Sequence, residues 1–206
     1  LYLSSMLQYR FAAIAVFCVL VSLTVGAQDP TALYEEGLKL KDQKRSAEAL
    51  EKFKKAVSIK PDHIAALYEM GWCQNDLKEY ANAISTLRKA KAGWPAVPKV
   101  YFELGYAFEK QAQTDSAVSM YNKCLELKPD YSLAFKQLGY IFYAREDYSN
   151  ALEKFKKHEE AAKTSITDYL YWYRKGFSYN ALKEYSNAKL ALNRSLEFKT
   201  DYSSTY

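Results

Sequence analysis

The chain has 206 residues, a net charge of +5, and is 49% hydrophobic and 26% charged, as expected of a soluble globular or solenoid protein. Seven Gly and five Pro are too few for a collagen-like or disordered chain. Lys and Arg alternate with Glu and Asp instead of clustering on one face, which argues against nucleic-acid binding. The unusual component is aromatic: 19 Tyr, 10 Phe and 3 Trp.

The first element is FAAIAVFCVLVSLTV (11–25), fifteen uncharged apolar or small residues between Arg10 and the stretch VGAQDP. A basic flank, a short apolar core and a small-residue exit describe a secretory signal over 1–27, cut after Ala27. Met6 is the expected start. The run is short for a membrane span of about twenty residues, so cleavage is expected over retention as an anchor, leaving no span in the mature chain. Cys18 follows bulky Phe17 inside the run, where a lipid-attachment signal would want a small residue. The implied location is the periplasm or cell envelope. Cys73 and Cys124 give no disulfide framework and read as buried thiols.

From residue 30 onward a small-residue pair recurs twelve positions apart: Gly37/Ala49, Gly71/Ala83, Gly105/Ala117, Gly139/Ala151 and Gly176/Ala188. Successive Gly residues are 34, 34, 34 and 37 apart, the mark of a solenoid. Large apolar residues precede each Gly by four: Leu33, Leu67, Tyr101, Phe135 and Trp172. Three after it come Leu40, Gln74, Phe108, Phe142 and Tyr179, on the same helical face. The second helix of each unit carries Phe53, Leu87, Tyr121, Phe155 and Leu192 four after the Ala. Pro61, Pro95 and Pro129 close the first three units. Each unit is therefore two amphipathic helices joined by a polar turn such as LKEY (77–80), with Gly and Ala expected where the two backbones cross. Neither helix is stable alone; stacking pairs buries a continuous core.

WYRKGFSY (172–179) followed by Ala188, and YFELGYAF (101–108) followed by Ala117, Tyr121 and Pro129, resemble the tetratricopeptide repeat. The resemblance covers 30–202 as five repeats (30–63, 64–97, 98–131, 132–168 and 169–202), with 203–206 opening a possible sixth. It implies an all-α fold, an α-solenoid of antiparallel helix pairs wound into a right-handed superhelix. The unfinished sixth unit suggests a fragment of a longer protein. Three departures stand out. His158 occupies a normally small slot, Lys175 stands where Leu is usual, and EAAKTSITD (160–168) carries three extra residues, predicting a lengthened helix or loop.

No catalytic signature is present. His63 and His158 lie in no metal-ligand spacing, and there is neither a phosphate loop nor a nucleophile elbow. No cofactor, metal or catalytic residue is expected, and the chain is not read as an enzyme. The resemblance instead implies a concave groove lined by the first helices. Three before each Gly stand Tyr34, Tyr68, Phe102, Lys136 and Tyr173; one after it stand Leu38, Trp72, Tyr106, Tyr140 and Phe177. With Tyr143 these define the candidate partner-binding residues: Tyr68, Trp72, Phe102, Tyr106, Tyr140, Tyr143, Tyr173 and Phe177. Asn75, Glu109 and Asn180 could form a polar margin. Aromatic residues with a polar handle concentrate at interfaces. The expected function is a protein-interaction scaffold of the bacterial envelope holding a protein or peptide partner. The alternatives are a recruiting segment of a longer envelope enzyme or signalling protein, and glycan binding by stacking on Trp72.

Overall fold

In the computed structural model of the protein, the described residues are 29–162 and 164–200, divided into two compact units, 29–61 and 62–200. The expected signal segment at 1–27 and the opening of a sixth repeat at 203–206 lie outside them. All regular structure among the described residues is α-helical. The first unit holds α1 (Pro30–Asp42) and α2 (Ser46–Ile59). The second holds α3 (Ile64–Asp76), α4 (Tyr80–Gly93), α5 (Pro98–Lys110), α6 (Thr114–Leu127), α7 (Ser132–Ala144), α8 (Tyr148–Ala161), α9 (Tyr169–Ala181) and α10 (Tyr185–Thr200). The odd-numbered helices each have 13 residues, and α2, α4, α6 and α8 have 14.

The helix starts follow local chemistry. Asp29 accepts the Thr31 N–H at 2.9 Å with Pro30 in the first helical turn. His63 takes the same part for α3, its Nδ1 accepting from Ala66 N–H at 3.3 Å. Every turn within a pair is built alike. Lys44, Lys78, Ala112, Glu146 and Lys183 all have positive φ, between 56° and 63°. Around Ala112 its own N–H bonds the Glu109 carbonyl at 3.0 Å and the Gln113 N–H bonds that of Phe108 at 2.9 Å. This is the paired-bond stop that usually selects Gly at its left-handed position.

Within each pair the Gly meets a side chain that the twelve-residue spacing did not single out. A Cβ on Gly37, Gly71, Gly105, Gly139 or Gly176 would run into Phe53, Leu87, Tyr121, Phe155 or Leu192 respectively. The nearest neighbour of each Gly is thus the large residue sixteen positions on, and the buried Ala twelve positions on is not the contact that demands a missing side chain.

Stacking of pairs in the second unit is equally repetitive. Tyr101 hydroxyl donates to the Pro95 carbonyl at 2.7 Å, and Trp172 Nε1–H donates to the Ile166 carbonyl at 2.8 Å. The three extra residues form a loop, since α8 ends at Ala161 and α9 begins at Tyr169. His158 is 5% exposed, and its Nδ1 lies 3.0 Å from the Ser132 carbonyl. The equivalent Ser195 donates to the Tyr169 carbonyl at 2.9 Å, so both side chains tie a second helix to the start of its pair's first helix. Lys175 is accommodated because Glu159 of α8 pairs with it, and the same carboxylate accepts the hydroxyl of fully buried Tyr171 at 2.8 Å. Cys73 and Cys124 are buried thiols, and burial pushes that of Cys124 up to about 12.

Candidate functional site

Helices α3, α5, α7 and α9 carry the aromatic stripe of the second unit, and they sort it into three environments. Trp72 and Tyr106 line one cavity of about 370 Å³, together with Phe102, Glu103, Asn75 and residues of α7. Tyr80, at the start of α4, completes this wall, its ring edge-on to Tyr106 at 6.3 Å between centroids.

A second patch lies on α7, α8 and α9. Tyr143 packs edge-on to Phe177 at 5.8 Å and to Tyr148 at 6.0 Å, and Tyr173 lies 6.4 Å from Phe177. Tyr173 is 46% exposed and Phe177 38%, so this cluster offers open ring surface. Tyr140 is half-buried beside it. Its hydroxyl donates to Asp168 at 3.0 Å, and the Arg174 guanidinium sits 4.1 Å from its ring centroid.

The third environment is packing. Tyr68 is only 7% exposed, with its ring tilted against Trp94 at 6.4 Å and the Lys99 ammonium 4.1 Å over its face. Phe102 is 9% exposed and stacked on Tyr131 at 5.2 Å, so although it lines the cavity it is largely covered. Two residues of the same slot thus support the groove wall, whereas Trp72 and Tyr106, each one after its Gly, face it.

Asn75 and Glu109 of the polar margin are engaged internally. Asn75 Nδ2 donates to the Glu103 carbonyl at 3.0 Å and carboxylate at 2.8 Å, bracing α3 against α5. Glu109 accepts the Tyr121 hydroxyl at 2.8 Å. Asn180 is exposed on α9. Burial raises the hydroxyl pKa of Tyr106, Tyr143 and Tyr140, and the Asp168 carboxylate adds to the effect at Tyr140. These phenols stay neutral at physiological pH and can act as hydrogen-bond donors.

Sequence reasoning missed Tyr80 and undervalued Lys136 and Leu133, which also line the cavity. A signal for Tyr80 was available: in three of the five repeats the slot three before the Ala holds a tyrosine, Tyr80, Tyr148 or Tyr185. Among the described residues, no group of three or more His, Cys, Asp or Glu could hold a metal ion. No helix among them is long and apolar enough to cross a membrane.

An array of helix pairs with a recurrent small residue under a large one, and an aromatic surface on its first helices, defines a helical-repeat interaction module. Tetratricopeptide-repeat family models match residues 40–93, 98–131 and 169–202, together more than half of the chain, and the chain belongs to this family. Proteins of this kind are interaction scaffolds for protein or peptide partners. Three similar solved structures show how far the fold is shared. The crystal structure of MamA protein is 18% identical, with a TM-score of 0.69 over 85% of this chain and 94% of that one. MamA from Desulfovibrio magneticus RS-1 (residue 41 to its end) is 27% identical, with a TM-score of 0.63 over 66% of this chain and 76% of that one. YrrB, described as a TPR protein with an unusual peptide-binding site, is 18% identical, with a TM-score of 0.67 over 89% and 93%. No curated protein matches the sequence.

Proposed function

We propose that the protein is a non-catalytic scaffold that holds a peptide or a segment of a partner protein against the first helices of its second unit. The observation that carries this reading is the convergence of Trp72 and Tyr106, from two different helices, on one cavity of about 370 Å³. Both are part-buried and part-open, the condition in which a large aromatic gains most from a partner covering it. The Tyr143/Tyr173/Phe177 cluster offers a second contact area on the same set of helices. Affinity capture from envelope extract with wild type, Trp72→Ala, Tyr106→Ala and Lys89→Ala tests the assignment, each variant first shown folded by its helical signal and melting point. Truncating either aromatic should weaken capture by about thirtyfold, as for about 2 kcal/mol lost at an interface centre. Lys89, exposed on α4, should be neutral. Folded Trp72→Ala and Tyr106→Ala variants that keep every partner would make the aromatic residues scaffold only.

The place of action in this reading is the bacterial envelope, supported by Arg10, the apolar run 11–25 and the small-residue exit before Gln28. Expression of the full chain in a Gram-negative host should yield a mature protein beginning at Gln28 by intact-mass measurement. Recovery of the unprocessed chain from the cytosol would remove the envelope from the proposal.

A further inference from the structure

Contacts between successive pairs of the second unit repeat, and they define the slots that one pair offers to the next. Three residues before the Ala, Tyr80 of α4 meets Tyr106 of α5, and Tyr148 of α8 meets Phe177 of α9, at 6.3 and 5.9 Å between centroids. One after the Ala, Leu152 packs on the buried cluster that contains Tyr171 of α9. Eight after it, Glu159 accepts the Tyr171 hydroxyl and pairs with Lys175, both on α9. Three before the Gly, Tyr68 lies under Lys99 and Phe102 stacks on Tyr131.

The pair α9/α10 fills these four slots with Tyr185, Lys189, Leu196 and Tyr173. No element follows α10 among the described residues, and the slots are open: Tyr185 is 63% exposed and Leu196 60%, with Tyr173 and Lys189 exposed as well. Leu192 is only partly covered, whereas Phe53, Leu87, Tyr121 and Phe155 at the same slot are fully buried. Single apolar side chains on a surface are ordinary, but a contiguous set of them marks an interaction surface.

The charge on this face selects the occupant. The slot one after the Ala holds Leu50, Ile84, Val118 and Leu152 in the first four repeats and Lys189 in the fifth. A helix laid over it with no acid would bury that ammonium unpaired, at a cost in free energy. The junction of α8 and α9 shows how such a charge is met: Glu159 on α8 is answered by Lys175, at the slot where α5 and α7 carry Leu104 and Leu138. A second copy docking through the same face would set one basic face against another. Docking through α1 of a second copy would offer Ala32, Glu36 and Lys39, all exposed, at the slots where α5 fully buries Val100, Leu104 and Ala107. Glu36 already pairs with Lys52, and Ala32 is too small to cover Tyr185 and Leu196.

We infer that the open face of α9 and α10 docks an amphipathic helix of a partner protein, apolar at i, i+4 and i+7, with an acidic residue beside that stripe. The spacing is the one α5 uses at Val100, Leu104 and Ala107. The apolar groups of the partner cover Tyr173, Tyr185 and Leu196, and its acid meets Lys189. This contact is independent of the groove at Trp72 and Tyr106.

Three fluorescein-labelled helical probes test the inference on the full chain by anisotropy. The acidic probe is Ala-Leu-Ala-Gln-Glu-Leu-Ala-Gln-Leu-Ala-Gln-Glu-Leu-Ala; the neutral and basic probes replace both Glu by Gln or by Lys. The acidic probe should bind about fivefold tighter than the neutral one, and the basic probe most weakly. Lys189→Glu should reverse that order. Tyr185→Ala combined with Leu196→Ala, both at exposed positions, should weaken all three probes, and Trp72→Ala should leave them unchanged. Equal affinities, an order that survives Lys189→Glu, or no binding at all overturns the inference and leaves the groove reading standing. Loss of binding in Trp72→Ala alone would seat the probes in the groove and overturn it too. So would a concentration-dependent dimer, seen by sedimentation, that the Tyr185/Leu196 double variant disperses, because a second copy would then occupy the face.

Discussion

The ring of Tyr121 lies against Gly105: a Cβ on Gly105 would stand 2.7 Å from both Cδ1 and Cε1 of that ring. Tyr121 is fully buried and anchored by its bond to Glu109, so it has little room to yield. In an exposed helix interior, Gly→Ala stabilises by about 1 kcal/mol. Here the sign should reverse, with Gly105→Ala destabilising by about 1–3 kcal/mol through overpacking. Urea midpoints of wild type and Gly105→Ala decide the matter. A raised midpoint would mean that the two helices are not in this register.

The turn after α5 invites the opposite change. Ala112 holds φ at 56°, in the left-handed region where a Cβ is unfavourable. Ala112→Gly should stabilise by about 0.5–1 kcal/mol, the left-handed cost removed less the extra chain entropy of Gly. Ala92→Gly, exposed within α4, should destabilise. If both variants lose stability equally, the turn is not held in this conformation.

His158 gives the fold a dependence on acid. Burial is the main cause of its lowered pKa, and Lys136 lowers it further; the Ser132 carbonyl, Glu159 and Asp168 act the other way. The folded value lies below the ordinary 6.5, so the unfolded chain takes up the proton first as pH falls. This contribution to stability is complete above pH 6.5 and is lost as pH drops from 6.5 through the lower folded value. Melting temperatures at pH 7 and pH 5 should fall further for wild type than for His158→Ser, which copies the side chain at Ser195. Parallel falls would show that His158 is not held neutral.

Most of the architecture was legible in the sequence because Gly, Ala and Pro recur in register and each has one physical use at its slot. The site was less so. The slot three before each Gly reads alike at Tyr68, Phe102 and Tyr173, yet the first two are buried and the third is open. What decides is a neighbour distant in sequence: Trp94 and Lys99 cover Tyr68, and Tyr131 covers Phe102. Periodicity fixes the face a residue occupies on its own helix and is silent about what the next pair lays over it. The same limit hid the partner of Lys175, which is Glu159 on the preceding helix, and the purpose of His158, which copies Ser195 with a longer side chain.

The claim that the groove of Trp72 and Tyr106 is where a partner sits is tested most directly by photo-crosslinking. A benzophenone amino acid is placed at position 106 in one variant and at position 89 in another, each produced in the native cell and irradiated there. The expected result is a discrete covalent adduct from position 106, suppressed by Trp72→Ala, and none from position 89. Adducts from position 89 alone, or equally from both positions, would contradict a partner held in this groove.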